Sequence, residues 1–219
     1  MDNIFEGVFS EYTVTGVAFK PEEANEYTLV DGAGSVSEEY ERKTITKAKS
    51  NVTVKKIARA AGSGTLTLNL HMPLDLYNKL NGLLKGEDAD VVTGVYALPA
   101  RTLIPKTEIA MEVEDEDGDK KFKYYPCANC ASFNRSMTSE ADTVAEVEMQ
   151  FELSADEYKN IMYEALGDDL DTAGGTITSS NWMTSVSSAA LQEDGGETGA
   201  TGQTGATGAT GTTGSAGAG

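Results

Sequence analysis

Two stretches of this chain share one design: a strictly alternating polar–apolar segment that runs directly into a helical pattern. In residues 65–82, Leu66, Leu68, Leu70 and Met72 fall on one side, and Thr65, Thr67, Asn69 and His71 fall on the other. That is the period of two of a strand with one face to bury. Pro73 then suits a helix N-terminus, Leu76, Tyr77 and Leu80 recur at helical spacing, and Gly82 supplies the stop. Residues 144–167 repeat the scheme. Val147, Met149, Phe151 and Leu153 form the apolar side, and Glu146, Glu148, Gln150 and Glu152 form the polar one. Ser154 followed by Glu157 reads as a capping box. It predicts a helix over 155–166 with Tyr158, Ile161, Met162 and Ala165 on one face. Such units constrain packing and carry no chemistry of their own.

The rest of the body reads as strands joined by polar segments. Residues 11–19 and 27–30 are short strands. Residues 31–50 are a polar, glycine-punctuated excursion or hairpin, and 44–54 are rich in β-branched residues and read as paired. Residues 91–98 are mostly apolar and predict a strand. Residues 109–125 predict a hairpin: Met111 and Val113 alternate with Glu112 and Glu114, Asp117-Gly118 turns the chain, and Phe122 and Tyr124 return on one face. The class is therefore mainly β, with helical additions (α+β).

Beyond residue 170 the character changes. Residues 171–195 are low in hydrophobicity apart from Trp182 and read as a linker. From Gly196 to Gly217 every third residue is glycine, mostly preceded by threonine, a collagen-like Gly-X-Thr register. The last proline in the chain is Pro126. Without proline to pre-order it, so short a tract does not hold a triple helix alone. The expected organisation is a body over 1–170, a linker over 171–195 and a flexible tail over 196–219.

Charge narrows the function. The chain carries 35 acids, 17 bases and a formal charge of −18. Residues 171–219 contribute four acids and no base, which leaves −14 on the body. Such a surface repels phosphate and argues against gripping nucleic acid. Two cysteines, Cys127 and Cys130, are too few for a disulfide scaffold. Their CxxC spacing has one further soft ligand in the chain, His71, where zinc needs about four, so they read as structural thiols. The acidic run 115–119 invites a calcium loop. With Gly118 at position six, however, Val113 stands at position one and Tyr124 at twelve, and the pattern fails. A hairpin turn fits better. His71 has no serine or cysteine motif beside it, and Gly62-Ser63-Gly64 lacks the lysine of a phosphate loop. No catalytic, cofactor or metal site is expected. The start of the chain shows no basic and apolar leader, and no run of about 18 apolar residues occurs, so neither secretion nor membrane spanning is expected.

One row of side chains stands out. Glu146, Glu148 and Glu152 line one strand face at about 7 Å per two residues, and Glu112 and Glu114 are placed on a neighbouring strand. The ordinary reading is a solvated face. The functional reading is a negative wall along a passage for polyanions.

The order and spacing of three segments resemble the major tail proteins of long-tailed, non-contractile phages (siphophage tail tube proteins). These segments are GTLTLNLHMPLDLYNKLNG from Gly64 to Gly82, FKYYPC from Phe122 to Cys127, and EADTVAEVEM from Glu140 to Met149 leading to Asp156-Glu157-Tyr158. The resemblance spans roughly residues 1–168, and the Gly-X-Thr tail lies outside it. It implies an antiparallel β-sandwich or barrel with a flanking α-helix, in a fold also similar to the tube protein of type VI secretion. It implies six copies to a ring and rings stacked into a hollow tube through which DNA leaves the virion without specific binding. Its partners would be further copies of itself, a tape measure protein, a tail terminator and baseplate or tail-tip proteins, in a particle assembled in the host cytoplasm. Glu146, Glu148 and Glu152, with Glu112 and Glu114, are then the candidate lumen-lining residues. The alternatives are a tube subunit of a bacterial injection machine and, from another class, a collagen-like surface adhesin.

Overall fold

The structure, a computed structural model, describes residues 13–30, 33–49, 52–135 and 147–192. Its strands in chain order are β1 (Thr13–Pro21), β2 (Thr28–Val30), β3 (Ala33–Lys49), β4 (Val52–Leu70), β5 (Leu84–Lys85), β6 (Tyr96–Ala97), β7 (Lys106–Glu114), β8 (Lys120–Arg135), β9 (Val147–Ser154) and β10 (Tyr163–Leu166). Helices are short: α1 (Leu74–Leu80), α2 (Gly167–Ala173) and α3 (Trp182–Ser185). One antiparallel sheet runs β2-β1-β7-β8-β9-β4-β3, and β10 adds to a free stretch of β8. The sheet curls until β1 and β3 approach one another.

Alternation decides what faces inward. The register sets Leu66 opposite Phe151, Leu68 opposite Met149 and Leu70 opposite Val147. All of these but the half-buried Val147 are fully buried, in a core shared with Phe19, Ile109, Met111 and Tyr125. Each such side chain contributes about 1.5–3 kcal/mol on burial. Helix α1 closes this core with Leu76, Tyr77 and Leu80. Its end is fixed by Asn81, whose Nδ2 donates to the Tyr77 carbonyl at 2.8 Å and whose Oδ1 accepts from the Cys130 thiol at 3.3 Å. Gly82 follows at φ 70°, where a Cβ would stand 3.0 Å from Thr102 Cγ2. The predicted stop is therefore both conformational and steric.

The second predicted helix is absent. Residues 155–162 turn instead, and 163–166 form β10. Asp156 organises the turn: its carboxylate accepts from the Asn160 amide at 2.9 Å and the Tyr163 hydroxyl at 2.6 Å. The cause is tertiary. β9 pairs with β8 only from Ala128 onward, which leaves the β8 edge at residues 121–124 open. β10 satisfies that edge and packs Tyr163 and Ala165 on the sheet. A ladder and a buried face outweigh a local capping preference worth about 1 kcal/mol.

Two further expectations are corrected. Residues 91–98 form no strand beyond the two-residue β6, which pairs with the equally short β5, and Val92 is left 77% exposed. The described part of the expected linker, through Gln192, is packed. Ile177, Trp182 and Val186 are buried against Ala18, Ala110, Phe122 and Tyr124 in a second core on the outer side of β1, β7 and β8. One tryptophan and two β-branched residues on a small apolar patch suffice, where average composition reads as linker. The Gly-X-Thr tail lies outside the described residues.

Candidate functional site

The site begins with the faces that β3, β4, β9 and β8 turn away from the main core. Because Leu66, Leu68 and Leu70 point inward, Thr65, Thr67 and Asn69 must point out. The ladder sets Thr65 beside Glu152, Thr67 beside Gln150 and Asn69 beside Glu148. On the β3 side, Ser37 and Glu39 stand opposite Thr67 and Thr65. On the β8 side, Asn129, Ser132 and Asn134 stand opposite Glu152, Gln150 and Glu148. Side chains bond across the strands. Asn69 Nδ2 donates to Ser35 Oγ at 2.8 Å, Ser132 Oγ to Gln150 Oε1 at 3.0 Å, and Asn134 Nδ2 to Glu148 Oε1 at 3.1 Å. The result is a four-strand surface of small hydroxyl and amide groups. Among the residues just named on this face, Glu39, Glu148 and Glu152 carry charge and none is basic; Glu41 adjoins it through Ser63 Oγ at 2.7 Å, and Lys106 of β7 borders it opposite Asn129.

Of the acidic row, Glu148 and Glu152 therefore share a face and are exposed. Glu146 lies outside the described residues. Glu112 and Glu114 stand elsewhere. They are on β7, opposite Phe122 and Lys120 of β8, roughly 23 and 30 Å along the strands from Asn129 at about 3.3 Å per residue. Glu112 is held by Lys120 Nζ at 2.9 Å and by the Thr15 hydroxyl at 2.9 Å. Glu39 joins the wall and was not expected. Glu38 and Glu39 are adjacent in sequence, and only the β3–β4 register assigns one to each face.

Glu38 points to the other side and organises a buried polar seam where β1 and β3 approach. Its Oε1 accepts from Lys123 Nζ at 2.8 Å and from the Tyr125 hydroxyl at 2.6 Å, and its Oε2 accepts from the Tyr40 hydroxyl at 3.0 Å. Burial, then the neighbouring carboxylate, raises the Tyr125 and Tyr40 phenols well above their usual range. A cavity of about 740 Å³ opens at this seam, between Val14, Val36, Glu38 and Lys123. The Lys123 ammonium lies against a carboxylate of its own chain, so it offers no free nucleophile. A second carboxylate, Glu108, binds Lys20 Nζ at 3.1 Å and the Tyr124 hydroxyl at 2.7 Å beneath the C-terminal segment.

Cys127 and Cys130 lie in β8, three residues apart, so an extended backbone turns them to opposite faces. Both are buried, Cys130 in the main core with its thiol pushed up to about 11 by burial. That geometry suits neither a shared metal nor a dithiol. Asp115 does not reach outward for an ion. Its Oδ1 accepts from the amides of Asp117 and Asp119, both at 2.9 Å, and so shapes the hairpin turn. Among the described residues no group of three or more metal-ligating side chains converges.

Neither a family model nor a curated protein matches the chain. Three solved structures are similar to it. A chain of the six-fold symmetrised anti-feeding prophage baseplate aligns at 11% identity and a TM-score of 0.39, over 68% of this chain and 91% of that one. A chain of the anti-feeding prophage tube-terminating cap aligns at 11% identity and a TM-score of 0.43, over 76% and 99%. A chain of the sheath–tube complex of an extracellular contractile injection system, PVC, in its extended state aligns at 13% identity and a TM-score of 0.39, over 75% and 99%.

Proposed function

We propose that this chain is a structural, non-enzymatic subunit of a phage-tail-like tube, in which six copies close a ring and rings stack around a channel that DNA traverses. The observation that carries the reading is the β3-β4-β9-β8 outer face, a wall of small polar groups on which Glu39, Glu148 and Glu152 are the charges named among the described residues. The named side chains of this wall offer phosphate no cation, and its carboxylates repel it over about a Debye length, about 8 Å at physiological salt. Strand edges support the same reading. Among the described residues β3 pairs only with β4 and β2 only with β1, which leaves two sheet edges that ring closure would cover.

At the finer level, the sequence resemblance favours the tube of a long non-contractile virion tail, with the tape measure, terminator and tail-tip proteins as partners. A tube of an injection machine is the second reading. Gene neighbours separate the two, since head genes beside a tape-measure gene belong to a virion. Mass measurement of the assembled protein tests the tube itself. The expected product is a multiple of six chains. A stable trimer would overturn the reading and favour the adhesin.

A further inference from the structure

A strand's register is firmly set where one of its faces is apolar, because a slip of one residue turns every side chain to the other face. β4 and β9 meet that condition: Leu66, Leu68, Leu70, Met149, Phe151 and Leu153 are all buried. β3 does not. From Ser35 to Tyr40 its outer side is Ser35, Ser37 and Glu39, all exposed, and its inner side is Val36, Glu38 and Tyr40, all half-buried. Val36 is the one aliphatic residue among the six. Among the described residues β3 has a single partner, β4. The far part of the hairpin does not set this register either. Pairing steps from Tyr40 opposite Gly64 to Arg42 opposite Ala60, so an irregularity separates the two stretches of ladder.

What holds β3 in place is polar. Glu38 Oε1 accepts from Lys123 Nζ at 2.8 Å and from the Tyr125 hydroxyl at 2.6 Å, both on β8. β9 and β4 separate β8 from β3 in the sheet order, so this contact crosses the interior and belongs to no ladder. The Lys123 and Glu38 side chains are 5% and 17% exposed. Tyr40 completes the cluster. Its hydroxyl donates to Glu38 Oε2 at 3.0 Å, and its ring lies over Gly64, where a Cβ would stand 2.9 Å from Tyr40 Cδ1. A slip of one residue breaks all of this at once. Glu38 and Tyr40 would turn outward, Glu39 would turn inward, and Tyr40 would stand opposite Ser63 or Thr65 in place of the bare glycine. A slip of two residues keeps the faces but carries Glu38 about 7 Å along the strand, away from Lys123.

We infer that the Glu38–Lys123 pair is a register lock: it positions β3 on β4 and so decides that Glu39, and not Glu38, stands on the outer wall. A buried ion pair is weak evidence of net stability, and fixing a register is the best-attested use of buried polar groups. The lock holds whatever the wall faces. On the tube reading it selects which carboxylates line the channel.

The test is cross-strand disulfide trapping in the full chain, with the bonded pairs mapped by peptide mass spectrometry. Ser37→Cys with Thr67→Cys reports the native register, in which the two residues are opposite. Val36→Cys with Thr67→Cys, or with Asn69→Cys, reports a slip of one residue in either direction. With Lys123 in place only the native pair should close. Lys123→Met should let native and slipped pairs both close. Adding Glu38→Leu, which makes the inner side of β3 apolar, should restore the native pair alone. Lys123→Gln, milder because its amide still donates, is read in the same way if Lys123→Met does not fold. A merely stabilising ion pair gives a lower melting point with the native disulfide alone, and that result overturns the lock. Loss of all three disulfides, as from a β3 that frays, overturns it too. Neither result bears on the mass of the assembled protein, so the tube reading stands or falls separately.

Discussion

Replacing Trp182 with alanine tests whether the C-terminal segment is part of the folded body. Trp182 is 1% exposed, stacks its ring 5.6 Å from that of Phe122, and donates its indole N–H to the Lys123 carbonyl at 3.2 Å. Truncating a buried tryptophan costs about 3–5 kcal/mol through lost transfer energy and the cavity left behind. With a urea dependence of about 2 kcal/mol per molar, a loss of about 4 kcal/mol lowers the midpoint by about 2 M. Trp182 is the single tryptophan, so the variant must be followed by far-UV circular dichroism. Protein concentration should stay below the onset of assembly, which would otherwise add its own stability. A midpoint shift below about 0.5 M would refute the second core and return residues 171–192 to a linker.

The buried phenols predict alkaline unfolding. Burial first, and neighbouring Glu108 or Glu38 next, raise the pKa values of Tyr27, Tyr124, Tyr40 and Tyr125. The stability they contribute is complete below the unfolded-state value near 10 and is lost as pH rises through their folded-state values. Circular dichroism and absorbance at the tyrosinate band should therefore change together above about pH 10, and Tyr125→Phe should lessen the slope. Asp115→Ala removes the acceptor for two turn amides and should cost about 2 kcal/mol, seen as a melting point lower by about 4–8 °C. Glu148→Lys with Glu152→Lys should leave the melting point within about 1–2 °C, because both side chains are exposed. In assembled protein it should create salt-sensitive DNA retention, and filter binding showing none would remove these residues from the channel.

Much of the frame was legible in the chain. Strict alternation at 65–70 and 147–153 announced both strands and their inward residues, and it survives because each strand has one dry and one wet face. Pro73 and Gly82 bounded α1 correctly, and Asp117-Gly118 marked its turn. The misses share a cause. The capping box at Ser154 was a sound local signal, but whether 155–166 coils or extends depends on a vacancy in the β8 edge that only the tertiary pairing creates. Residues 91–98 have strand composition, but the strand they meet, β5, is only two residues long. Trp182 found its pocket on the outer side of a sheet whose outer residues, Ala18, Ala110 and Phe122, come from three separate strands. The wall was half legible. Glu148 and Glu152 followed from alternation, Glu39 needed the register, and the pairing order set Glu112 and Glu114 at a distance.

Electron cryomicroscopy of the assembled full chain is the most direct measurement of the central claim. A hollow tube of six-subunit rings is the expected result. Thr65, Thr67, Glu148, Gln150 and Glu152 should face the channel. Rings or fibres that turn this face outward, or bury it against another subunit, would contradict it.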